Sequence, residues 1–376
     1  MAHDEPVLLH RAGRTAHITL NRPRALNALT HPMVRTVDEA LARWERDATV
    51  AAVVISGAGE RGLCAGGDIR AIHEDARTGG GASAAFWRDE YRLNARIARY
   101  SKPYVALMDG IVMGGGVGVS AHGGVRIVTE RSAVAMPETG IGLVPDVGGT
   151  YLLSRAPGEL GTHLALTGRA VGAADALLCG LADHFVPSDR LPGLTDALAG
   201  TDVLAGTDVR SATGARAGAD VEEAVRRHAT HAPDGRLGAD RAWIDTCYAA
   251  DSVEEIVGRL LGHGAPAAKE TAETILTRSP TALKATLASL RRARELSTLE
   301  QVLDQEYRAS CAALATPDLL EGIRAQVIDK DRSPAWSPKE LAQVTDADVA
   351  RFFVPAPGGD LGLGDGGLRG EFPERP

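Results

Sequence analysis

The chain has 376 residues with 41 lysines and arginines against 49 aspartates and glutamates, a formal charge of −8, and only 4% of its residues are aromatic. It therefore lacks the basic face and stacking platforms that nucleic acids require, while 44% apolar content is enough to bury a full core and excludes a wholly disordered chain. No run approaches the roughly 20 consecutive apolar residues of a bilayer helix, and the acidic residues 1–6 are unlike a signal or transit peptide, so the sequence predicts a cytoplasmic protein without a membrane partner.

In chain order, residues 7–20 read as two short strands around Ala12-Gly13, closed by Pro23. A helix follows over residues 31–46, with Met33, Val37, Ala40, Leu41 and Trp44 at helical spacing, then a buried strand over residues 50–55. Residues 68–76 and 84–100 predict helices, and residues 103–108 and 125–128 predict strands. Alternation at this rhythm points to an α/β fold with parallel pairing. Beyond Gly149 the pattern is helical, broken at Pro157-Gly158 and Gly168. Residues 194–219 carry the tandem echo TDALAG, TDVLAG, TDV, the mark of a slipped, loop-tolerant insertion. Residues 252–353 predict helices, among them a stripe of Leu299, Val302, Leu303, Tyr307, Cys311 and Leu314. The last 22 residues hold seven glycines and four prolines, a composition that predicts a disordered tail. The division is a core over 5–195, a variable insertion over 196–240, a helical region over 241–353 and a tail over 354–376. Cys64, Cys179, Cys247 and Cys311 have no zinc or disulfide spacing and predict reduced, buried thiols.

Two glycine loops join a strand to a helix: Cys64-Ala65-Gly66-Gly67-Asp68 and Gly114-Gly115-Gly116. Such turns leave backbone N–H groups free at helix N-termini, where negative charge is favoured. Two of them facing each other would form an oxyanion hole; each alone is also what a tight turn needs. Residues 136–149 hold just two charges, Glu138 and Asp146, among apolar and glycine neighbours that would raise their pKa values into the acid/base range. Asp146 can instead cap a helix, and Glu138 can be an exposed loop charge. Other motifs are weaker. Gly116-x-Gly118-x-x-Ala121 precedes Glu130 by too few residues for a dinucleotide unit. Ser120 lacks the second glycine of a nucleophile elbow, and His73-Glu74-Asp75 point in different directions on a helix.

Taken together, Leu20-Asn21-Arg22-Pro23, Ala25-Leu26-Asn27-Ala28-Leu29, Cys64-Ala65-Gly66-Gly67-Asp68 and Gly114-Gly115-Gly116 resemble the crotonase (enoyl-CoA hydratase/isomerase) superfamily. Within it the chain is most similar to the 3-hydroxyisobutyryl-CoA hydrolase branch. The narrower likeness rests on Asp89-Glu90-Tyr91-x-Leu93-Asn94, Lys102 to Ala106, Met113 to Gly118, Ala135 to Thr139 and Pro145 to Gly149. It continues through Ser279 to Lys284, Gln305 to Arg308, Glu321 to Ala325 and Ile328 to Asp331.

That resemblance implies a crotonase-like spiral of ββα units with a helical C-terminal region. It implies hydrolysis of a short 3-hydroxyacyl-CoA in valine catabolism, with the thioester carbonyl held by the amides of Gly67 and Gly115. Glu138 and Asp146 match the catalytic carboxylates, and Glu90 a substrate-contacting position near the acyl hydroxyl. Ala25, Leu26 and Ala65 match CoA contacts, and Arg24 and Arg70 stand where cations would meet its phosphates. No metal and no cofactor beyond the substrate's own coenzyme A is implied. A hydratase would carry a second glutamate at the position of Gly118, so the simple hydratase reading loses half its acid/base pair; a non-catalytic CoA-binding scaffold is the other alternative. The superfamily implies a homo-oligomer, but the C-terminal helices can equally cover the trimer-forming surface.

Overall fold

A computed structural model of the chain describes residues 5–199 and 214–363. Strands β1 (Val7–Ala12) and β2 (Thr15–Leu20) form the expected hairpin. Parallel strands β3 (Ala52–Gly57), β5 (Tyr104–Met108), β7 (Val125–Val128) and β9 (His184–Phe185) extend it into a six-stranded sheet. A second, wholly parallel sheet is made of β4 (Gly62–Cys64), β6 (Ile111–Met113) and β8 (Ala133–Ala135). Each pair β3/β4, β5/β6 and β7/β8 gives one strand to each sheet, which is the ββα spiral the resemblance implied.

The helices follow the chain as α1 (His31–Arg46), α2 (Ile69–Ala76), α3 (Gly81–Ala98), α4 (Gly115–Gly118), α5 (Gly149–Ser154), α6 (Leu160–Thr167), α7 (Ala173–Leu178) and α8 (Leu191–Ala199). After residue 213 come α9 (Gly214–His228), α10 (Leu237–Tyr248), α11 (Val253–Gly262), α12 (Pro266–Ile275), α13 (Pro280–Glu295), α14 (Leu299–Ala313) and α15 (Pro317–Ile323).

The large sheet is covered on both faces, as parallel strands require. Along β3, Val53 and Ile55 point into the main core with Met33, Val37 and Leu41 of α1, while Ala52 and Val54 point the other way. That outer face is closed by Leu194 and Leu198 of α8 and by Val221, Ala224 and Val225 of α9. The division at 195/196 therefore falls inside α8, and the segment expected as a variable insertion supplies apolar packing on both sides of residues 200–213, which lie outside the described residues. Its echo repeat hides a helical spacing, Leu194 to Leu198, that serves as a core stripe.

The start of the tail is also corrected. Asp360 forms an ion pair with Arg308 at 2.5 Å, and Leu361 and Leu363 are buried. Glycine and proline content sets the entropy cost of ordering, but a few apolar anchors and one ion pair against α14 offset it locally. Residues 364–376 lie outside the described residues. All four cysteines are free and buried.

Candidate active site

The three strands of the small sheet all end at one place. β4 runs into Gly66-Gly67, β6 into Gly114-Gly115, and β8 through Met136-Pro137 into Glu138, the first residue of a single 3-10 turn, Glu138–Ile141. In parallel sheets the carboxyl ends of the strands carry the ligand site. Here those ends line a cleft of about 250 Å³ together with Phe86, Trp87 and Glu90 of α3, and with Asp146, Arg278 and Gln326.

The two glycine loops are in contact. A methyl group placed on Gly66 would lie 3.7 Å from the nitrogen of Gly115, and one on Gly115 would lie 3.4 Å from the carbonyl carbon of Gly66. Gly66 has φ +110 and Gly114 φ +49, conformations that L side chains rarely adopt. Gly116 is required for closeness, since a Cβ there would stand 2.3 Å from the Cys64 carbonyl oxygen. Among the described residues neither the Gly67 nor the Gly115 amide has an acceptor, Gly115 being the first residue of α4. The first loop is braced from outside: Leu29 N donates to Gly66 O at 2.8 Å, Asp68 N to Leu29 O at 2.8 Å, and Ala65 N to Leu26 O at 3.0 Å.

Three carboxyls surround these amides. Glu90 is 2% exposed, and Glu138 and Asp146 are 5% exposed. Glu90 Oε1 lies 2.6 Å from a methyl group built on Gly115, and Glu138 Oε1 lies 2.9 Å from one built on Gly114. Glu90 Oε1 and Glu138 Oε2 are buried without a hydrogen-bond partner, the condition of groups awaiting a ligand or water. Burial holds both carboxyls well above the ordinary range, and the neighbouring Asp146 adds to the shift. Burial raises Asp146 to about 6 while the Tyr91 hydroxyl opposes the rise. Groups this close share their protons and titrate as a set.

Asp146 is held by side chains from elsewhere in the chain. Tyr91 donates its hydroxyl proton to Asp146 Oδ2 at 2.7 Å, and the Ser310 hydroxyl lies 2.8 Å from the same phenol oxygen. Asp146 does not cap α5: the residue before that helix is Gly148, and the free amides of Gly148 and Thr150 donate to Glu306 at 2.6 and 2.8 Å. Nor is Glu138 an exposed loop charge, because the turn after β8 carries it inward.

The structure thus brings Gly67, Gly115, Glu90, Glu138, Asp146 and Ala65 to one cleft. Arg24, Ala25, Leu26 and Arg70 are not among its lining residues. Arg24 and Ala25 are exposed, Leu26 braces Ala65, and Arg70 donates to the carbonyl of Val327 at 2.8 Å. The cation that does line the cleft is Arg278, whose Nε and Nη2 both donate to Thr167 O at 3.0 and 2.7 Å. Ser310, Arg278 and Gln326 carry no local signal of function; Tyr91, next to Glu90, and Glu306, within Gln305 to Arg308, fall inside motifs of the resemblance that assign them no role. The weaker motifs resolve structurally, Ser120 donating to Gly116 O at 2.6 Å and Glu130 accepting from the Ser188 amide at 3.0 Å. Among the described residues no group of three or more His, Cys, Asp or Glu side chains is arranged to hold a metal ion, and no helix is long and apolar enough to cross a membrane.

A family model described as enoyl-CoA hydratase/isomerase matches residues 15–353. Relatives named 3-hydroxyisobutyryl-CoA hydrolase, mitochondrial, include one from Rattus norvegicus, 43% identical over 94% of this chain and 90% of its own. Another from Homo sapiens is 42% identical over 95% of this chain and 90% of its own. A solved structure titled carnitinyl-CoA dehydratase, from Mycobacterium thermoresistibile, is 53% identical, with a TM-score of 0.87 over 94% of this chain and 97% of that one. One titled enoyl-CoA hydratase, from Rhodobacter sphaeroides, is 44% identical, with a TM-score of 0.84 over 95% and 99%. The relatives' mitochondrial names overturn the expectation of a cytoplasmic protein. Targeting segments are removed rather than folded, so the composition of the folded chain carries no compartment signal.

Proposed function

This chain belongs to the enoyl-CoA hydratase/isomerase family, and we propose that it hydrolyses the thioester of a short 3-hydroxyacyl-CoA to the free hydroxy acid and CoA. The substrate we assign is 3-hydroxyisobutyryl-CoA, an intermediate of valine breakdown, in line with the names of relatives 41–44% identical over most of the chain. The observation that carries the reading is the pair of acceptor-free amides, Gly67 and Gly115, on touching loops beside buried Glu138.

In this reading the thioester carbonyl oxygen accepts from both amides. Charge develops on that oxygen as the carbonyl is attacked, and removing one such donor typically costs about 3 to 4 kcal/mol of barrier. Backbone donors supply this without a cationic side chain. Glu138 acts by one of two routes. Its carboxylate attacks the carbonyl carbon, the C–S bond breaks, CoA leaves as a thiol after taking a proton, and water opens the resulting anhydride. Alternatively Glu138 takes a proton from a water that attacks directly. Asp146, held by Tyr91, orients the substrate's 3-hydroxyl, and Glu90 contacts it from α3. The coenzyme is part of the substrate, and no other cofactor enters this scheme.

The titles of the two solved relatives favour a second reading, loss or addition of water across the acyl chain with the thioester kept. Against it, a Cβ at Gly118 would stand 2.7 Å from Val147 and 2.9 Å from Asn94, so the second glutamate of a hydratase has no room there. A steady-state assay separates the readings. The hydrolase releases a free thiol from 3-hydroxyisobutyryl-CoA, whereas a dehydratase generates the absorbance of a conjugated enoyl thioester without free thiol. A scaffold does neither. Enoyl product without thiol would overturn the proposal.

A further inference from the structure

The turn that presents Asp146 is strained. Val147, a β-branched residue, has φ +53, and Gly148 follows at φ +80; such a conformation persists for valine only where its surroundings over-determine it. Two contacts do so. His122 donates its Nε2 proton to the Val147 carbonyl at 2.7 Å. Glu306, from the middle of α14, accepts from Gly148 N at 2.6 Å, Thr150 N at 2.8 Å and Thr150 Oγ1 at 2.5 Å. One turn along the same helix, Ser310 meets the phenol of Tyr91, which donates to Asp146. Gly148 is enclosed too, since a Cβ there would stand 2.4 Å from His122 Nε2 and 2.8 Å from Leu299 of α14.

We infer that Glu306 is a positioning residue: from the C-terminal helical region it fixes the strained Val147-Gly148 backbone, with Ser310 steadying Tyr91, and so sets where the Asp146 carboxylate stands. A buried glutamate with three donors from one turn is a costly arrangement that a surface-type cap would not need. It reaches across more than 150 residues of chain to a helix of six residues, whose own stability is a small return.

The inference rests on Asp146 acting in the reaction, so a double-mutant cycle tests the two separately. The variants are Asp146→Asn, Glu306→Ala and the double, with Glu306→Gln as the conservative form, assayed for CoA release from 3-hydroxyisobutyryl-CoA and from unsubstituted isobutyryl-CoA. Misplacement of about 1 Å costs on the order of 100-fold. Glu306→Ala is therefore expected to lower kcat by about 10- to 100-fold on the hydroxylated substrate, with less loss on the plain one and KM little changed. Glu306→Gln, which keeps one acceptor oxygen, should recover part of that loss. In the Asp146→Asn background the Glu306→Ala loss should fall below about 3-fold, because residues acting through one another are non-additive. Equal losses in both backgrounds, or equal losses on both substrates, overturn the positioning role alone. Wild-type turnover in Asp146→Asn overturns the assignment of Asp146 and this inference with it. If Glu306→Ala does not fold, the same cycle with Glu306→Gln decides by the same criterion.

Discussion

β3, β5 and β7 of the large sheet run for six, five and four residues, whereas β4, β6 and β8 of the small sheet run for three each. Apart from Arg126 the long strands are largely buried and apolar, facing the main core with α1 on one side and α8 and α9 on the other. The short ones end in glycines and a glutamate around a cleft. The longer buried strands and the ends that line the candidate cleft thus belong to two different sheets threaded by the same ββα units. A chain leaving a long, buried strand has a fixed direction; three more residues paired in parallel suffice to bring the next loop to its neighbour's end.

Breaking the small sheet's contribution should cost activity first. Under the proposed function, Glu138→Gln is expected to lower CoA release by on the order of 10²- to 10⁴-fold while leaving CoA binding, measured by calorimetric titration, largely intact. Retained turnover would remove Glu138 from the mechanism. Gly116→Ala comes next. Its methyl group would press within 2.3 Å of the Cys64 carbonyl, so the two glycine loops must part, and a loss of about 10²-fold in kcat is expected. Unchanged kcat in a folded variant would show that the adjoining amides are dispensable.

A smaller effect separates the carboxyls from one another. In the proposed function the acting form of Glu138 is ionised, and burial followed by the charge of Asp146 raises its pKa. The rate should therefore fall on acidification at a higher pH than the range in which an ordinary carboxyl titrates. In Asp146→Asn the neighbouring charge is gone, and the residual activity should keep its acid limb to a lower pH. Asp146 also ties stability to pH. Burial lifts its pKa from 3.8 to about 6 in the folded chain, so the folded state favours the protonated group. That contribution is full below pH 3.8 and lost as pH rises through about 6. Urea titrations across this window should show a shallower fall for Asp146→Asn than for the parent, and an unchanged slope would contradict the raised pKa.

The least effect on chemistry is expected in the large sheet. Ile127 is buried on β7 against the α8 and α9 face. Ile127→Ala should lower unfolding free energy by about 2 to 5 kcal/mol with kcat within twofold of the parent below the unfolding transition. A proportionate loss of kcat would mean that the two sheets do not divide the work.

The hairpin, α1, the long strands and the helical breaks at Pro157-Gly158 and Gly168 were legible because each spans enough residues for apolar spacing to register. β4, β6 and β8 were not, since three residues carry no periodicity. The glycine loops and Glu138 stood out by composition. Their convergence did not, because it depends on the strands that periodicity cannot see. The tail misled for a related reason: composition reports entropy lost on ordering, whereas Asp360 pairs with Arg308 of α14 and Leu361 is buried in the main core, through contacts that lie outside any local window.

What the amino-acid sequence determined by itself was the α/β class, the buried faces of the long elements and the residue types able to hold a developing oxyanion. Those are properties of short windows, where spacing and side-chain chemistry act through immediate neighbours. Only the tertiary structure decided that Gly67, Gly115, Glu90, Glu138 and Asp146 share one cleft, that Arg24 and Arg70 are not among its lining residues, and that Glu306 reaches the Gly148 turn and Ser310 the Tyr91 phenol. Desolvation and hydrogen-bond geometry depend on which atoms lie within a few ångströms, and parallel pairing sets those distances between residues far apart in the chain.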